Sequence, residues 1–475
     1  MERKIIEHLK KHMTTIIVGI VCLALGFGGG YVVFYQPHVT TTVKLKETVD
    51  NKTLRQVYSI LKDKFVDTTG SKSSISDRMI KGLTSGLLDP HTSYMTKKEA
   101  EAFTSSISGN YVGIGVAYLV VNEGAMITDA FSAGNAYKAG LRPGDIITDV
   151  DGVSLKGKSS DEMQDMIRGE EDSSANFSYR HLGKKKNVHI KRTQASSGVF
   201  SKVLKSGKKK VGYLQITTFD DETGSTCETA LSAFEDQNVE DLIIDVRNNG
   251  GGYVNAAEDT LSLFNPSGTV LYSTKDRKGK VDHVKDSDRH YYTFKKKAII
   301  VNGQTASAAE ILAGSLQELN GFSIIGSQTY GKGTMQAEVP LSNGGVLKYT
   351  CATWYTAKGK SINHKGLTPD VKVNSVDMDT LDIKQVSKTY KVGAMNTKIS
   401  AMEDMLKALG YHVDRTDGYF SNQTSKALKA FQKKSHLKVT GTYGTQDYYY
   451  LIYQFMNAKA SHSYDPEFKK AQSFM

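Results

Sequence analysis

The sequence predicts a multidomain α/β protein. The chain has 475 residues, of which 39% are hydrophobic, and this is enough for several cores. Apolar runs of strand length also alternate with helical periodicity, and the character of the chain changes at several points. The predicted segments are a cytoplasmic tail over 1–13, a transmembrane helix over 14–35, a helical segment over 36–94, a β-rich module over 95–192, an α/β core over 193–380 and a small helical domain over 393–460.

The first predicted element is a single membrane anchor. Residues 1–13 are basic, and residues 14–35 contain no charged side chain. As a helix, the uncharged run would be about 33 Å long, which matches the core of a bilayer. The cations before it predict a cytoplasmic N-terminus and an extracytoplasmic remainder. A cleaved signal peptide is the alternative, although no Ala-x-Ala site follows the apolar run.

Two helices are predicted after the anchor. Apolar residues between Leu54 and Phe65 recur at helical spacing, and a second helix is predicted over about 76–88. The second helix should end at Asp89-Pro90, because proline cannot continue a helix. His91 follows in the turn, and we interpret it as a structural residue.

The region from 207 to 325 predicts an α/β core with a mostly parallel sheet. Predicted strands alternate with predicted helices, as a parallel sheet requires. The strands are at 211–216, 242–244, 298–301 and 322–325, and the helices are at 223–237 and 308–319. Ser307 therefore falls where a strand passes into a helix N-terminus, a position that favours a developing negative charge.

Ser307 and Lys332 together suggest a Ser–Lys pair. A serine hydroxyl needs a base to become a nucleophile, and a lysine amine is a base only when it is neutral. Burial away from acidic side chains favours the neutral amine, and residues 328–336 contain no Asp or Glu. Taken alone, Ser307 is more often a helix cap and Lys332 a solvated lysine. His364 offers a Ser–His alternative, and Cys351 is interpreted as packing inside a strand predicted over 347–355.

Three motifs in this core resemble the carboxyl-terminal processing protease family, whose members are serine peptidases with a PDZ domain. The motifs are Thr-Ala-Ser-Ala-Ala-Glu at 305–310, Thr-Tyr-Gly-Lys-Gly at 329–333 with Gln336 following, and Asp-Val-Arg-Asn-Asn-Gly-Gly-Gly at 245–252. The resemblance implies that Ser307 is the nucleophile, that Lys332 is the general base and that Gln336 orients the lysine. It also implies an oxyanion hole.

The oxyanion hole implied by the resemblance has two backbone donors. The N–H of Ala308 is one, and either Gly250 or Gly251 supplies the other. A glycine at this turn lets the backbone approach the substrate closely, because it carries no Cβ. The sequence does not decide between the two glycines.

The β-rich module resembles a PDZ domain. Its loop at 110–116 is similar to the PDZ carboxylate-binding loop, and the turn at 139–147 is typical of such domains. The expected peptide-binding residues are Val112, Gly113, Ile114, Gly115 and Val116. The resemblance implies that a protein tail ending in a small or apolar residue adds as a strand, and that Arg168 couples the PDZ domain to the active site. A solvated arginine is the alternative. In relatives the N-terminal helices help to form a dimer, so a homodimer is possible.

The C-terminal region resembles a peptidoglycan-binding domain. Turns at 417–420 and 440–444 each precede an amphipathic helix. Thr440 and Thr442 depart from the more usual Asp-Gly of such turns, which weakens the ligand assignment more than the fold. A helical docking module without glycan affinity is the alternative.

Composition limits the function further. The net charge of +11 suits an anionic membrane or cell wall, while no nucleic-acid-binding signature accompanies it. Cys22, Cys227 and Cys351 form no disulfide framework, although a Cys227–Cys351 bridge is possible, and no metal or cofactor is expected. The favoured function is a membrane-anchored endopeptidase that selects protein C-termini. The alternatives are a hydrolase of cell-wall stem peptides and a non-catalytic PDZ adaptor.

Overall fold

The structure is a computed structural model, and it describes residues 51–66, 74–108, 112–131, 134–194, 198–206, 209–287, 289–373, 376 and 381–475. The predicted cytoplasmic tail and transmembrane helix, residues 1–35, lie outside the described residues. Within the described ranges, no helix has the length and apolar character needed to cross a bilayer.

The described residues alternate between helices and strands along most of the chain. The helices are α1 (Asn51–Lys64), α2 (Ile75–Ser85), α3 (Lys97–Ile107), α4 (Asn135–Lys138), α5 (Ser160–Ile167), α6 (Thr223–Asp236), α7 (Val254–Ser262), α8 (Ala308–Asn320), α9 (Thr397–Ala408), α10 (Asn422–Lys434), α11 (Thr445–Ala460) and α12 (Pro466–Phe474). The strands are β1 (Ser93–Met95), β2 (Val112–Gly113), β3 (Val116–Val121), β4 (Gly124–Ala130), β5 (Ile146–Val150), β6 (Val153–Ser154), β7 (Ser174–His181), β8 (Lys184–Lys191), β9 (Thr193–Gln194), β10 (Val199–Ser206), β11 (Lys209–Ile216), β12 (Asp241–Asp245), β13 (Val270–Asp276), β14 (Val281–Lys285), β15 (Lys296–Val301), β16 (Ser323–Gly326), β17 (Thr334–Pro340), β18 (Val346–Thr356) and β19 (Val371–Lys372).

The chain forms two compact units. Of the described residues, the first unit comprises those up to Thr104 together with Met335–Ala352, and the second comprises those in Ser105–Thr334 and Thr353–Met475. In the first unit, β1 pairs with β18 in antiparallel register, with Tyr94 opposite Leu347. The predicted helix over 76–88 is confirmed as α2, although it ends at Ser85, a few residues before the proline. Helix α3 occupies the first residues of the predicted β-rich module, so the strands of that module begin only at β2.

The second unit contains the predicted parallel sheet. Its strand order is β10-β11-β12-β15-β16-β19, and every neighbouring pair from β11 to β19 is parallel. The antiparallel strand β10 forms one edge. Residues 242–244 of β12 and 298–301 of β15 are apolar and buried, as expected for central parallel strands. Because parallel strands share their carboxyl edge, the turns after β12 and β15 meet at that edge.

A second, antiparallel sheet in the same unit forms the β-rich module. Its order is β3-β4-β5-β7-β8, with β6 paired to β5. Helix α5 packs Met163 and Ile167 into the apolar core of this module, together with Ile127 and Phe177. In the sheet as described, β3 is an edge strand.

The C-terminal helical region is built around two similar turns. Met395 pairs with Tyr419 in the first turn, and Tyr390 pairs with Tyr443 in the second, each in antiparallel orientation. Helices α9, α10 and α11 share one apolar core, which also includes Met126 of the β-rich module. The predicted multidomain α/β architecture with a helical C-terminal region is therefore confirmed, and the helical region packs against the β-rich module.

Helix α12 was not predicted, and it packs on the parallel sheet. Phe468 and Ala471 are buried in one cluster with residues of β11, β12 and β15. The Arg247 guanidinium, just after β12, donates to both carboxylate oxygens of Asp465 at 2.7 Å and also contacts Asp245. Burial would raise the pKa of Asp465, but hydrogen bonds from His462 and Arg247 hold it well below its ordinary value. This buried ionic cluster ties the C-terminal segment to the end of β12.

Candidate active site

Ser307 occupies a sharp turn between β15 and α8. Its backbone has φ 57° and ψ −121°, a region that residues other than glycine rarely adopt. A serine on such a strand-to-helix turn has the geometry of a nucleophile elbow, which presents the side chain outward. Ser307 is partly exposed, while Ala306 and Ala308 on either side are buried. Strain of this kind persists only where the surroundings enforce it.

The buried carboxylate of Glu310 enforces this turn. Its Oε2 atom accepts hydrogen bonds from the backbone N–H of Ser307 and from the backbone N–H of Lys332, each at 2.9 Å. Its Oε1 atom accepts from the N–H of Gly331 at 2.7 Å and from the Thr329 hydroxyl at 2.6 Å. The backbone nitrogens of Ser307 and Lys332 are therefore separated by at most twice 2.9 Å. One side chain thus joins the turn of the candidate nucleophile to the turn of the candidate base.

Glu310 also modifies the expectation that no acidic residue lies near Lys332. None lies in residues 328–336, but Glu310 reaches the loop from α8. Its two oxygens accept four donors, three of which are backbone N–H groups. The sequence signals only the bond to Ser307, because Ser-x-x-Glu is the pattern of a capping box, in which the acidic side chain accepts from the N-cap N–H.

The loop around Lys332 has little freedom. A Cβ on Gly331 would lie 2.7 Å from the backbone nitrogen of Gly366, and a Cβ on Gly333 would lie 2.5 Å from the Cβ of Asn363. The buried indole of Trp354 donates to the carbonyl oxygen of Lys332 at 2.9 Å. The backbone of Lys332 is therefore fixed on both sides, and its side chain is half-buried.

The glycine turn after β12 lies directly against Ser307. A Cβ on Gly251 would be 2.9 Å from the Cβ of Ser307, so only glycine fits there. The Gly251 N–H already donates to Oδ1 of Asn249 at 2.8 Å. Among the described residues, no hydrogen bond uses the N–H of Gly250 or that of Ala308. One free N–H group directly follows Ser307 in the chain, and the other precedes Gly251, which contacts Ser307.

Asn249 holds the glycine turn in position, and sequence reasoning missed it. Its side-chain amide donates to the carbonyl of Ile216 at 2.9 Å, and its own carbonyl accepts from the N–H of Ala306 at 2.9 Å. Asn249 is fully buried. The turn after β12, the end of β11 and the turn of Ser307 are therefore linked by direct hydrogen bonds.

Gln336 lies in the first compact unit, whereas Ser307 and Lys332 lie in the second. Its side-chain amide donates to the Thr350 hydroxyl at 3.2 Å, and that hydroxyl donates to Asp89 at 2.7 Å. Burial would raise the pKa of Asp89, but hydrogen bonds from the hydroxyls of Thr92 and Thr350 lower it below its ordinary value. The predicted role of Gln336 in orienting the lysine stays a prediction.

The alternative base His364 and the two cysteines lie in surroundings unlike those of Lys332 and Ser307. His364 is exposed, and its backbone N–H donates to the carbonyl of Gly331 at 2.8 Å. Cys227 and Cys351 are both free thiols, so the possible bridge between them is not formed. Burial raises the pKa of Cys227 to about 12 and also raises that of Cys351, which keeps both as thiols.

The predicted peptide-binding loop leads into the edge strand β3. Val112 and Gly113 form β2, which pairs with β9. The carbonyl of Ile114 accepts from the N–H of Ala136 at 2.8 Å, and Gly115 adopts a positive φ of 79°. Val116 begins β3. Residues 110 and 111 of the predicted loop lie outside the described residues.

Arg168 is the C-cap of α5. Its backbone N–H donates to the carbonyl of Gln164 at 2.9 Å. With the Gln164 amide oxygen facing the guanidinium, the Arg168 Nη2 atom lies 2.9 Å from that oxygen. Coupling of Arg168 to the active site stays a prediction.

Three protein families match separate parts of the chain. Peptidase family S41 matches residues 210–373, a PDZ domain matches residues 127–180, and a peptidoglycan binding domain matches residues 396–449. The S41 match contains the turns of Ser307 and Lys332 as well as the glycine turn. These matches define a serine peptidase core with two accessory domains.

Named relatives extend the similarity over nearly the whole chain. A probable CtpA-like serine protease of Staphylococcus aureus strain COL is 31% identical over 444 residues, which cover 92% of this chain and 88% of the relative. The same-named protein of Staphylococcus epidermidis is 31% identical over 410 residues, covering 86% and 82%. A solved structure of a photosystem II D1 C-terminal processing protease has 26% identity, covers 70% of this chain and 87% of that chain, and has a TM-score of 0.45. The chain belongs to the family of CtpA-like serine proteases, and it is a serine peptidase.

Proposed function

We propose that this serine peptidase is a membrane-anchored, extracytoplasmic endopeptidase that recognises protein C-terminal tails through its PDZ domain and cleaves them with a Ser307–Lys332 dyad. The observation that carries the proposal is the shared hydrogen bonding of Glu310. One carboxylate oxygen accepts from the N–H groups of both Ser307 and Lys332, on turns from two different parts of the chain. A structural helix cap would require only the first of these bonds.

The proposed chemistry proceeds through an acyl-enzyme. The neutral amine of Lys332 removes the proton from the Ser307 hydroxyl as its Oγ atom attacks the scissile carbonyl carbon. The tetrahedral intermediate collapses, the peptide C–N bond breaks, and the lysine returns the proton to the leaving amine. A water molecule, deprotonated by the same lysine, then hydrolyses the ester and restores Ser307. In this scheme Gln336 orients the lysine.

We assign the proposed oxyanion hole to the N–H groups of Gly250 and Ala308. The N–H of Gly251 donates to Asn249, so it is occupied in the resting structure. The N–H of Ala308 lies in the first turn of α8, where the helix dipole adds to the stabilisation of negative charge. Gly251 has a separate role in this account, because its missing Cβ leaves room for Ser307.

The edge strand β3 supports recognition of a tail as an added strand. An edge strand offers unpaired backbone groups, and a tail can bind there while its last side chain enters an apolar pocket. Val116 and Tyr118 on β3 and Met166 on α5 are partly buried apolar residues packed against the core of the module. We therefore expect tails that end in small or apolar residues. Arg168, at the end of α5, would transmit the occupancy of this site.

The location and assembly are also proposals. The uncharged run over 14–35 would anchor the chain in the cell membrane with the catalytic part outside, and the match to a peptidoglycan binding domain supports a location at the cell wall. Helix α1 exposes an apolar stripe, with Leu54, Val57 and Ile60 each more than 40% exposed. An exposed stripe of this kind favours pairing with a second copy, as in a homodimer.

The test is cleavage of an unstructured protein with an apolar tail by the full chain, by Ser307→Ala and by Lys332→Ala. We expect cleavage by the parent only, with each variant at least about 1,000-fold slower. A purified peptidoglycan stem peptide is offered in parallel. Release of fragments from the stem peptide alone would favour the wall hydrolase, and equal cleavage by all three proteins would refute the dyad.

A further inference from the structure

Helix α10 and the turn after it carry a concentrated positive charge. Between Asp417 and Asp447 the sequence contains no Asp or Glu. The same stretch contains five lysines, all exposed: Lys426, Lys429, Lys433, Lys434 and Lys438. We call these five residues the lysine face.

The spacing within the lysine face is unfavourable for an isolated helix. Lys426 and Lys429 are three residues apart, and Lys429 and Lys433 are four apart, so successive ammonium groups lie on the same side of α10. An acidic residue at such a spacing would stabilise the helix, whereas like charges there destabilise it. Among the described residues, no ion pair involves a lysine of this face. The missing counter-charges are consistent with a partner that supplies them.

The apolar side of α10 excludes insertion into a bilayer. Ala427, Leu428 and Phe431 are buried in the core of the helical region. A helix that lies in a membrane interface needs an exposed apolar face next to its cations. In α10 that face is already used for folding, so the lysine face can offer charge alone.

The backbone next to the lysine face is held rigidly. Buried Gln432 accepts from the N–H groups of Thr440 and Gly441, each at 2.9 Å, and donates to Asp447 at 2.9 Å. The turn that carries Lys438 toward α11 is therefore fixed against α10. Lys426 and Lys433 are separated by about 10 Å along the helix axis.

We propose that the lysine face binds the carboxylates of peptidoglycan stem peptides, and that charge, more than contact with neutral sugars, holds the chain at the wall. The face lies inside residues 396–449, which match a peptidoglycan binding domain. This inference rests on the proposed wall-facing function and names the surface and chemistry of that contact. It also accounts for the threonines at 440 and 442, because an electrostatic surface does not depend on an Asp-Gly turn.

The experiment measures co-sedimentation of the full-length chain, purified in neutral detergent, with protein-free peptidoglycan sacculi. The test variant combines Lys426→Gln, Lys429→Gln and Lys433→Gln. The matched control combines Lys184→Gln, Lys185→Gln and Lys186→Gln, which removes the same charge from an exposed strand of the β-rich module. A second arm uses sacculi whose carboxylates have been converted to amides.

We expect the test variant to bind about tenfold more weakly, as three lost surface ion pairs imply, while the control binds like the parent. The parent should bind amidated sacculi as weakly as the test variant binds untreated sacculi, or more weakly. All three proteins should cleave a soluble tail substrate at the same rate. Equal loss in both variants would show a net-charge effect and refute the lysine face, as would unchanged binding in both. Competition by micelles containing phosphatidylglycerol, stronger than by soluble stem peptides, would identify a membrane partner instead. If the parent itself fails to sediment with sacculi, the proposed wall contact is wrong. If the parent sediments but the test variant binds no more weakly than the control, only the inference about the lysine face is refuted.

Discussion

Replacing Glu310 with glutamine tests how the two halves of the candidate site are joined. Glutamine keeps the size of the side chain but has one acceptor oxygen, whereas Glu310 uses two oxygens for four donors. The favourable orientation keeps the oxygen on the N–H groups of Ser307 and Lys332. The new NH₂ group then faces Thr329, whose hydroxyl can turn to accept, and the N–H of Gly331, which loses its partner.

The structure gives a magnitude for this change. One buried N–H without an acceptor costs about 1–3 kcal/mol, and two charge-assisted bonds also become ordinary ones. We therefore expect Glu310→Gln to lower the free energy of unfolding by about 2–4 kcal/mol. Because the turn of Lys332 would shift by a fraction of an ångström relative to Ser307, kcat should fall by about 10- to 100-fold with a small change in KM.

The assays are urea unfolding and cleavage of an unstructured protein with an apolar tail. Glu235→Gln is the matched control, since it makes the same chemical change at a carboxylate that is 61% exposed. The control should keep the stability and kcat of the parent. A Glu310→Gln variant with parental stability and parental kcat would refute the conclusion that this carboxylate holds the two turns together.

Three further predictions concern other contacts. Gly251→Ala should lower kcat at least tenfold, because the new Cβ would press on the nucleophilic serine. The control Gly268→Ala, at a similar positive φ but with open space around it, should lower stability without lowering kcat. Equal kcat in both variants would contradict this. Asp465→Asn should lower the free energy of unfolding in urea by about 2 kcal/mol, because Arg247 loses a buried charge partner, and an unchanged value would show that Asp245 alone suffices. Burial raises the pKa of Glu403 from 4.5 to about 7, so the folded state holds a proton that the unfolded state releases, and stability should fall as pH rises from about 4.5 to 7. The difference in melting temperature between the parent and Glu403→Gln should change between pH 4.5 and pH 7 and stay constant above pH 7. A difference that is constant over the whole range would contradict the raised pKa of Glu403.

Much of the parallel sheet could be predicted because its signals are local. Strands β12 and β15 are short apolar runs, and α8 has a clear helical period, so each element was predicted close to its observed bounds. The alternation of strand and helix predicts the parallel direction of the strands but not their order, because β13 and β14 lie between β12 and β15 in the chain and belong to another sheet.

The candidate site could be predicted in its residue types but not in its contacts. The positions of Ser307 and Lys332 came from motifs, whereas the choice between Gly250 and Gly251 depends on the Asn249 side chain, which no local pattern reveals. Glu310 belongs to the motif at 305–310, yet its bonds to the Lys332 loop join segments that are 22 residues apart.

Helix α12 has a clear start signal in the sequence. Asp465 is an N-cap, Pro466 follows at the first helical position, and Glu467 adds an acidic first turn, which together are typical of a helix start. What the sequence could not supply was the partner, because the contact between Asp465 and Arg247 spans 218 residues. Contacts of this range depend on the finished fold.

The most direct test of the central claim is to map where a β-lactone acylates the full-length chain, because such lactones form stable esters with activated hydroxyl groups. The account predicts a single ester on the peptide that contains Ser307, formed at least about 100-fold more slowly in Lys332→Ala. An ester at another residue, or labelling of Ser307 at the parental rate in Lys332→Ala, would contradict the Ser307–Lys332 dyad.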